Sequence, residues 1–523
     1  MLTASTLGEL LYRAAKEYPT APAFAYRNEV VTYRDWSAWA DQMAALYRAR
    51  GLRPGDVVAL LLPSTPFYLV AYLGAARMGL VTAGINLRYR RQEIGAILRR
   101  SGARMLLGVR RAHEGTDFER LVEEVRGGAS NLAECVWIEP DEFADTGQLV
   151  KQLAPKTAPV PEVRVSPEAP VAIVFTSGTT GLPKGACYQH RNVLALAEIE
   201  NRRYASGLEP VRKHLAAGTS FAHLGTMARV AVPIGLGALS IVHDRFDPEL
   251  VLATIEAEKL PHIGAFPTQM IALLDHPARG RYDLRSLRSV LLGGAPVAPE
   301  LVQRVRDELG AVVSVRYSST EVGIATASLP SDPPERVCGT VGKPTPGVEV
   351  RIVDEANRTL PAGAIGEVVV RSPATMACYW NDPDATAQVI DPEGWVHTGD
   401  LGMLDEEGYL HLRGRIKEMY IRGGFNVYPM EIESLLSRHP KVGQVAIVGV
   451  PDARLGEIGW AFVVPKKQED PPTLAELRAF VGEQLASFKR PDGVTILQAM
   501  PLTAMFKPDK EALRALWKQA KGT

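Results

Sequence analysis

The chain contains 523 residues, of which 59 are basic and 59 are acidic, so its formal net charge is zero. Hydrophobic residues make up 46% and charged residues 23% of the chain, a composition that is typical of globular proteins and excludes a disordered chain. Because there is no basic excess to attract nucleic acid or an anionic membrane, we expect neither as a partner.

The amino-terminal segment and the cysteines favour a cytoplasmic protein. The first twenty residues lack the basic region, apolar block and cleavage site of a secretory signal. The most apolar stretch, residues 67–85, is interrupted by Arg77 and three glycines, which predicts a buried helix rather than a membrane span. Four cysteines without a CxxC pair predict buried, reduced thiols instead of a disulfide framework or a zinc site. They are Cys135, Cys187, Cys338 and Cys378.

Short β-branched runs alternate with helical patterns in the first part of the chain. Residues 56–62 and 105–109 are predicted to form buried strands, and residues 67–78 a helix. This alternation is typical of βαβ units and of a mainly parallel sheet.

Three further predicted strands each end in a loop of small residues. Residues 171–175 lead into TSGTTG, residues 289–292 into GGAP, and residues 312–315 into YSSTE. A helix over residues 299–309, closed by Gly310, separates the last two strands. Ligands of open α/β sheets bind beyond the carboxyl ends of strands, so these loops predict one shared cleft.

The pattern changes after residue 340. Antiparallel strands joined by turn residues come first, and a compact α+β pattern follows. The predicted strands cover residues 348–353, 366–371, 409–412, 444–450 and 460–464, and the predicted helices cover residues 430–438 and 474–485.

These patterns together predict the domain organisation. We expect an α/β fold whose large N-terminal region, residues 1–414, has several subdomains: mainly parallel sheets flanked by helices, plus a β-rich subdomain. A small, mobile α+β domain is expected over residues 415–523.

The most informative segment is FTSGTTGLPKG, residues 175–185. Its glycines let consecutive backbone N–H groups converge on an anion, its hydroxyls add donors, and Lys184 adds positive charge. Pro183 excludes a Walker A loop, because it stands where that motif requires its second glycine. The segment therefore predicts a polyphosphate site.

This segment resembles the phosphate loop of the adenylate-forming superfamily, which includes acyl-CoA synthetases, nonribosomal adenylation domains and beetle luciferases. The resemblance covers nearly the whole chain, because further segments are similar to the superfamily's motifs and follow in its order. They are YSSTE at 317–321, YWNDP at 379–383, GWVHTGD at 394–400, GRIKE at 414–418 and GGFNVYP at 423–429.

The resemblance implies a two-step reaction with ATP, Mg²⁺ and coenzyme A. A carboxylate attacks the α-phosphate of ATP and gives an acyl-adenylate and pyrophosphate, and a thiol then displaces AMP. The C-terminal domain is expected to rotate between the two steps, and Lys417 matches the hinge about which it turns.

The resemblance also assigns the nucleotide site. Glu321 and Thr176 are expected to hold Mg²⁺, and Asp400, joined by Arg415, to bind the ribose. Tyr317 matches the residue that stacks on adenine. Other nucleotide-binding residues expected by match are Ser177, Gly178, Thr179, Thr180, Lys184, Gly294, Ala295, Pro296, Arg316, Ser318 and Thr320.

The resemblance also implies an acyl site and a thiol site. His223 matches a position at the acyl tunnel, where it would guard the carboxylate or contact the thiol. The expected acyl pocket is lined largely by small residues, which leaves room for a bulky or long acyl group. It comprises His223, Thr226, Met227, Gly293 and Ser319. Coenzyme A is expected to contact Gly423, Gly424 and Phe425.

For several of these residues a purely structural role stays open. Glu321 could cap a helix, Asp400 and Arg415 could form a plain surface ion pair, and His223 could be a packed core histidine.

Two departures from the superfamily's pattern bear on the first step. In PLTAMFKPDKEALR, residues 501–514, Lys507 falls on the catalytic lysine, but Phe506 replaces a glycine and Pro508 follows directly. Ser318 replaces the glycine of the YGxTE motif. Phenylalanine resists backbone angles that glycine permits and proline restricts the residue before it, so the loop could aim Lys507 differently and weaken adenylation. The hydroxymethyl group of Ser318 at the cleft floor could narrow the space for the acid or ATP.

The leading functional prediction is an acyl-CoA ligase for a hydrophobic carboxylic acid. Its alternatives are an enzyme that only thioesterifies an acyl-adenylate made by a separate adenylating enzyme, and a ligase that loads a separate acyl carrier protein. Two more distant alternatives are a luciferase-like oxygenase and a non-enzymatic sensor of nucleotide or acyl-adenylate.

Overall fold

The computed structural model describes residues 1–112, 115–155, 163–176, 183–205, 212–295, 297–503 and 507–521, without the side chains of residues 203–205 and 226–229. The first third of the chain alternates strands and helices, as its periodicity predicts. Its elements are α1 (Leu7–Glu17), β1 (Pro22–Tyr26), β2 (Glu29–Thr32), α2 (Tyr33–Ala49), β3 (Val57–Leu61), α3 (Pro66–Arg77), β4 (Val81–Gly84), α4 (Arg91–Ser101), β5 (Met105–Val109), α5 (Phe118–Arg126), β6 (Glu134–Ile138) and α6 (Thr146–Leu153).

The alternation continues through the middle of the chain. Its elements are β7 (Pro170–Thr176), β8 (Lys184–Gln189), α7 (His190–Ala205), β9 (Lys213–Ala217), α8 (Leu224–Leu236), β10 (Leu239–His243), α9 (Pro248–Glu258), β11 (His262–Ala265), α10 (Pro267–Leu274), β12 (Ser289–Gly293), α11 (Pro299–Leu309), β13 (Val312–Ser319), β14 (Gly323–Ala327), α12 (Pro334–Gly339) and β15 (Lys343–Pro344).

The last third is richer in strands. Its elements are β16 (Glu349–Val353), β17 (Gly366–Arg371), β18 (Cys378–Tyr379), α13 (Pro383–Ala387), β19 (Val396–Leu404), β20 (Leu410–Arg415), β21 (Tyr420–Arg422), β22 (Phe425–Val427), α14 (Pro429–Leu436), β23 (Val442–Asp452), β24 (Gly456–Pro465), α15 (Leu474–Gly482), β25 (Gly493–Ile496) and α16 (Lys510–Lys521).

The strands of the described residues form five sheets. The largest has seven strands in the order β18-β8-β7-β4-β3-β5-β6, and a second runs β11-β12-β13-β14-β15. In the seven-stranded sheet β7, β4, β3, β5 and β6 are parallel, and in the second sheet β11, β12 and β13 are parallel. The others are β2-β1-β10-β9, the antiparallel β16-β17-β19-β20, and β22-β21-β24-β23 with β25 beside β24. The expected α/β fold with a β-rich part and a small C-terminal α+β part is confirmed.

Capping residues in the sequence mark the ends of the helices α2 and α11. Thr32 and Asp35 form a capping box at the start of α2. Helix α11 has Pro299 in its first turn and ends at Gly310, whose φ of 64° is favourable only for glycine. The apolar stretch after residue 66 folds as the buried helix α3, as predicted, and none of the helices described is long and apolar enough to cross a membrane.

The prediction for β13 is wrong at its carboxyl end. The strand does not open into a loop after Val315 but continues through Ser319, because it pairs antiparallel with β14 from Arg316 to Ser319. The cysteine prediction also needs correction: all four thiols are free, but only Cys187 is buried and the other three are half-buried. The domain boundary between residues 414 and 415 falls in the last two residues of β20 and stays a prediction.

Candidate active site

Asp400 lies at the centre of a buried hydrogen-bonded group. It is 6% exposed, and it sits on β19 opposite Arg415 of β20. The Tyr317 hydroxyl donates to its Oδ2 at 2.5 Å, and the Arg415 Nε donates to its Oδ1 at 2.9 Å. Burial and the Asp400 charge raise the pKa of Tyr317 well above its ordinary value, so the phenol stays a donor. The pair is not an exposed surface ion pair, because both oxygens of Asp400 are held inside the protein.

A second carboxylate, Glu321, is fixed from two sides. The Tyr379 hydroxyl donates to its Oε1 at 3.0 Å, and the Ser319 hydroxyl donates to its Oε2 at 3.1 Å. The backbone N–H of Met376 donates to the Glu321 carbonyl at 2.9 Å, which anchors the main chain as well. The side chain accepts from hydroxyl groups and caps no helix described here, so its oxygens are presented with a defined orientation.

The strands that flank the predicted phosphate loop connect to this group. Thr176 ends β7, and its hydroxyl donates to the Lys184 carbonyl at 3.4 Å. Lys184 begins β8, and its Nζ lies 5.1 Å from the centre of the Tyr379 ring. The Tyr188 hydroxyl donates to the Thr320 carbonyl at 2.5 Å, so β8 is tied to the end of β13. The predicted residues Ser177, Gly178, Thr179 and Thr180 lie outside the described residues.

The neighbouring loop after β12 packs tightly. A Cβ at Gly294 would lie 2.5 Å from the Phe266 ring, and Gly294 has a φ of 79°. A Cβ at Gly293 would lie 3.1 Å from the Arg316 carbonyl oxygen. Arg316 itself pairs with the buried Glu200 of α7 at 3.1 Å. Gly293, Gly294 and Ala295 thus form a close turn beside Arg316, whereas Pro296 lies outside the described part of the chain.

His223 stands immediately before α8 and is held by Asn86. The Asn86 Nδ2 and the His223 Nε2 are 2.9 Å apart. The protein around the imidazole lowers the pKa of His223 to about 4, so the ring is neutral at physiological pH. The residue as a whole is half-buried. The side chains of Thr226 and Met227 are outside the described residues.

Lys507 lies at the same cleft. Residues 502–503 and 507–508 pair antiparallel as a short hairpin: the Thr503 N–H donates to the Lys507 carbonyl at 2.8 Å, and Leu502 pairs with Pro508. The Lys507 ammonium group interacts electrostatically with Arg415, Asp400 and Glu321. Although the residue keeps an exposed surface, the surrounding protein desolvates the ammonium group. That desolvation and the Arg415 charge lower the pKa of Lys507.

The departures from the superfamily's pattern have different outcomes. Ser318 lies within β13 with no positive φ, so its backbone does not require glycine and the serine is accommodated without strain. Phe506 lies outside the described residues. With Pro508 directly after it, the Lys507 ammonium group still interacts electrostatically with Asp400 and Glu321.

The predicted thiol-binding residues lie on the small C-terminal sheet. Gly423 and Gly424, with φ of 57° and 87°, make the turn between β21 and β22. Phe425 is 55% exposed and stacks on Phe488 with ring centres 4.5 Å apart. Lys417 lies in the 3-10 helix Ile416–Glu418, directly after β20.

Sequence reasoning missed the groups that orient the predicted residues. Asn86 holds His223, Glu200 pairs with Arg316, and Tyr379 holds Glu321. Of these three residues, only Tyr379 could have been found from the sequence, because it belongs to the YWNDP segment. Asn86 and Glu200 are separated from their partners by 137 and 116 positions, a distance across which local patterns carry no information.

The donors present fit a magnesium ion bound together with nucleotide phosphates. Mg²⁺ prefers oxygen ligands and is commonly held by one or two carboxylates plus substrate phosphates. Glu321 supplies a carboxylate, and Thr176 supplies a hydroxyl oxygen. Among the described residues, no group of three or more His, Cys, Asp or Glu side chains forms a metal cage, so the phosphates would have to complete the coordination.

Comparisons with known proteins identify the family of the chain. The model of the AMP-binding enzyme family matches residues 11–380, and the model of the AMP-binding enzyme C-terminal domain matches residues 431–507. A CoA ligase of Rhodococcus jostii strain RHA1, named for a propanoate that carries a methyl-dioxo-octahydroindene ring system, is 35% identical over 98% of both chains.

Two further proteins extend the comparison. The fatty acid–acyl-carrier-protein ligase ScoC of Streptomyces coeruleorubidus is 32% identical over 96% of this chain and 94% of its own. The solved amide bond synthetase McbA of Marinactinospora thermotolerans superposes with a TM-score of 0.84, at 30% identity over 98% of this chain and 99% of its own. The chain belongs to the AMP-binding enzyme family, and the expectation of an enzyme of the acyl-CoA synthetase type is confirmed.

Proposed function

We propose that this member of the AMP-binding enzyme family is an acyl-CoA ligase that activates a hydrophobic carboxylic acid as its adenylate and then transfers the acyl group to coenzyme A. The observation that carries the proposal is that the end of β13 holds two carboxylates from different parts of the chain, since Tyr317 donates to Asp400 and Ser319 donates to Glu321. In the proposed site Asp400 serves the ribose and Glu321 the metal, and Lys507, whose ammonium group interacts electrostatically with both carboxylates, serves the reacting phosphate.

In the first step the chain's own groups bind and orient ATP. Asp400, fixed by Tyr317 and Arg415, accepts the hydrogens of the ribose hydroxyls. Lys507 donates to the oxygens on which charge develops as the acid oxygen bonds to the α-phosphorus and the bond to pyrophosphate breaks. Such a donor is worth roughly 10²–10³ in rate. Glu321 and Thr176 would hold Mg²⁺, which neutralises phosphate charge.

In the second step the C-terminal part would present the turn at Gly423 and Gly424 in place of Lys507. A turn without side chains lets a pantetheine arm approach the adenylate closely. The thiol sulfur then bonds to the acyl carbon, AMP leaves with the electron pair of the bond that breaks, and the thiol proton goes to solvent. Lys417 is the proposed hinge for this exchange.

The acid is proposed to be bulky and apolar. The relative from Rhodococcus jostii is named for a propanoate with a fused ring system, and Gly293 and Ser319 line the expected pocket with small side chains. A panel of fatty, aromatic and ring-bearing propanoic acids, incubated with ATP, Mg²⁺ and CoA, tests the proposal through formation of the CoA thioester. The proposal predicts a thioester with at least one hydrophobic acid and none with acetate. It fails if no acid gives a thioester while a related ligase assayed in parallel does.

A carrier-protein ligase is the second candidate, because the relative ScoC is named for transfer to an acyl carrier protein. The same assay distinguishes the two acceptors when CoA is replaced by a carrier protein bearing phosphopantetheine. Acyl transfer to the carrier without transfer to free CoA would favour this second candidate.

A further inference from the structure

The side chain of Asn86 has a fixed orientation. Asn86 follows β4 and is 4% exposed. Its Oδ1 accepts the backbone N–H of Arg88 at 3.0 Å, so its Nδ2 must be the atom that faces His223. An amide nitrogen is only a donor, and at 2.9 Å from the ring it donates to the imidazole Nε2.

This hydrogen bond determines the tautomer of His223. A neutral imidazole carries one proton, and the nitrogen that accepts a hydrogen bond is the one without it. With Nε2 as the acceptor, the proton is on Nδ1. His223 is also the N-cap residue of α8, and the positive end of a helix disfavours a second proton on the ring.

The surrounding backbone fixes the positions of Asn86 and His223 relative to each other. The Ser64 hydroxyl accepts the Phe221 N–H at 3.0 Å and donates to the Thr219 carbonyl at 3.1 Å. The end of β4 approaches the same segment so closely that a Cβ at Gly84 would lie 2.7 Å from the Cα of Ala222. Asn86 and His223 are therefore presented by two backbone segments that cannot slide past each other.

We infer that Asn86 is a positioning residue that fixes the proton of His223 on Nδ1, so that His223 meets the substrate acid as a neutral hydrogen-bond donor and not as a base. No described residue is hydrogen-bonded to Nδ1, and His223 is only half-buried, so Nδ1 is the ring nitrogen left to donate to a carboxylate. The Nε2 lone pair is occupied by Asn86, so the ring has no free nitrogen with which to take the proton of the thiol. The inference rests on the proposed function, because it assigns a role at the same acyl site.

The direct test measures the tautomer in the wild-type protein. Nitrogen-15 NMR of protein labelled at histidine distinguishes the two neutral tautomers, and a His223→Gln variant identifies the signal. The inference predicts a proton on Nδ1 at pH 8. A proton on Nε2 in the wild type would overturn it, and this readout needs no substrate or activity. It therefore stays informative even if the proposed ligation fails.

The kinetic test uses Asn86→Asp, which keeps the shape of the side chain but replaces the donor by an acceptor. The proton of His223 should move to Nε2, and kcat/KM for the acid in pyrophosphate release should fall about 10- to 100-fold, the loss expected for a hydrogen bond to a charged group. The KM for ATP should not change. Conversion of a preformed acyl-adenylate to the CoA thioester should change less than threefold, because no proton transfer to His223 is involved.

Two comparisons separate positioning from general damage. In an Asn86→Asp, His223→Gln double variant the loss should not exceed that of His223→Gln alone, since both changes remove the same donor. Asn131→Asp, an exposed position, is the matched control and should behave as the wild type. Equal losses for the acid and for ATP, or unchanged kinetics in Asn86→Asp, would contradict the inference.

Discussion

At the scale of single residues, the proposed site depends on how its two carboxylates are held. Asp400 and Glu321 each accept from a tyrosine hydroxyl and from a second group. A carboxylate with two fixed donors loses little freedom when it binds a ligand, so its geometry is already set before ATP arrives. The two carboxylates proposed to serve the nucleotide are thus oriented by the donors around them.

Tyr317→Phe tests whether the tyrosine hydroxyl orients the Asp400 carboxylate at the proposed ribose site. Removing the hydroxyl leaves Asp400 with Arg415 as its only described side-chain partner, and the carboxylate is no longer fixed for the ribose. We expect KM for ATP to rise roughly tenfold, equivalent to about 1.4 kcal/mol, with a smaller change in kcat. Tyr12→Phe, at an exposed tyrosine of α1, is the control. An unchanged KM for ATP in steady-state assays would mean that the hydroxyl does not position Asp400.

Lys507→Ala tests whether this lysine supplies the positive charge used in the first step. We expect pyrophosphate release to fall by roughly 10²–10³, the loss expected for one well-placed donor. Thioester formation from a supplied acyl-adenylate should stay within severalfold of the wild type, because that step is proposed to use the other face of the C-terminal part. Lys151→Ala on α6 serves as the control. An equal loss in both half-reactions would argue against a role specific to adenylation.

At the scale of secondary-structure elements, α16 is linked to the proposed hinge region. The Lys510 Nζ, at the start of α16, lies 2.6 Å from Glu418 and 3.0 Å from Glu433 of α14. Glu418 is the neighbour of Lys417, and Lys510 is three residues beyond Lys507. This ion-pair cluster therefore connects the segment that follows Lys507 to the proposed hinge.

Lys510→Met should weaken this connection. The substitution leaves two partly buried carboxylates without their cation, which should cost roughly 1.5–3 kcal/mol in a urea-unfolding transition of the C-terminal part. Pyrophosphate release should fall more than thioester formation, because the hairpin that carries Lys507 is no longer anchored. The same change at Lys518, in the last turn of α16, is the comparison. A loss of stability with no preference between the half-reactions would show that the cluster only holds the fold.

The elements themselves were largely predictable, and the contacts between them were not. The β5 and α11 bounds follow the sequence pattern without change, because buried strands and capped helices carry local periodic signals. The end of β13 was mispredicted because its pairing with β14 is a tertiary contact. Motif order located Glu321, Asp400 and Lys507, whereas Asn86 and Glu200 follow only from the folded chain.

At the scale of the whole molecule, buried histidines make stability depend on pH. His190 is completely buried, and its Nδ1 accepts the Leu7 N–H at 3.2 Å. Burial lowers its pKa from 6.5 to about 4. Between these values the unfolded chain binds a proton that the folded protein does not, so stability falls as the pH falls through this window.

His190→Gln tests this linkage. The wild type should lose roughly 3 kcal/mol from this group between pH 8 and pH 4, and the loss should begin below pH 6.5. In the variant the decline should be shallower, although its stability at pH 8 can be lower. Thermal-unfolding midpoints measured from pH 4 to pH 8 decide the matter, with His276→Gln, at a half-buried histidine, as the reference. Parallel pH curves for the wild type and His190→Gln would refute the assignment.

We propose that the C-terminal hairpin brings Lys507 to the nucleotide, so that the chain makes its own acyl-adenylate. The most direct measurement is acid-dependent exchange of labelled pyrophosphate into ATP, without CoA, across a panel of hydrophobic acids. The account predicts exchange that requires Mg²⁺ and is lost in Lys507→Ala. No exchange with any acid, in a protein that still converts a supplied acyl-adenylate to its CoA thioester, would contradict it.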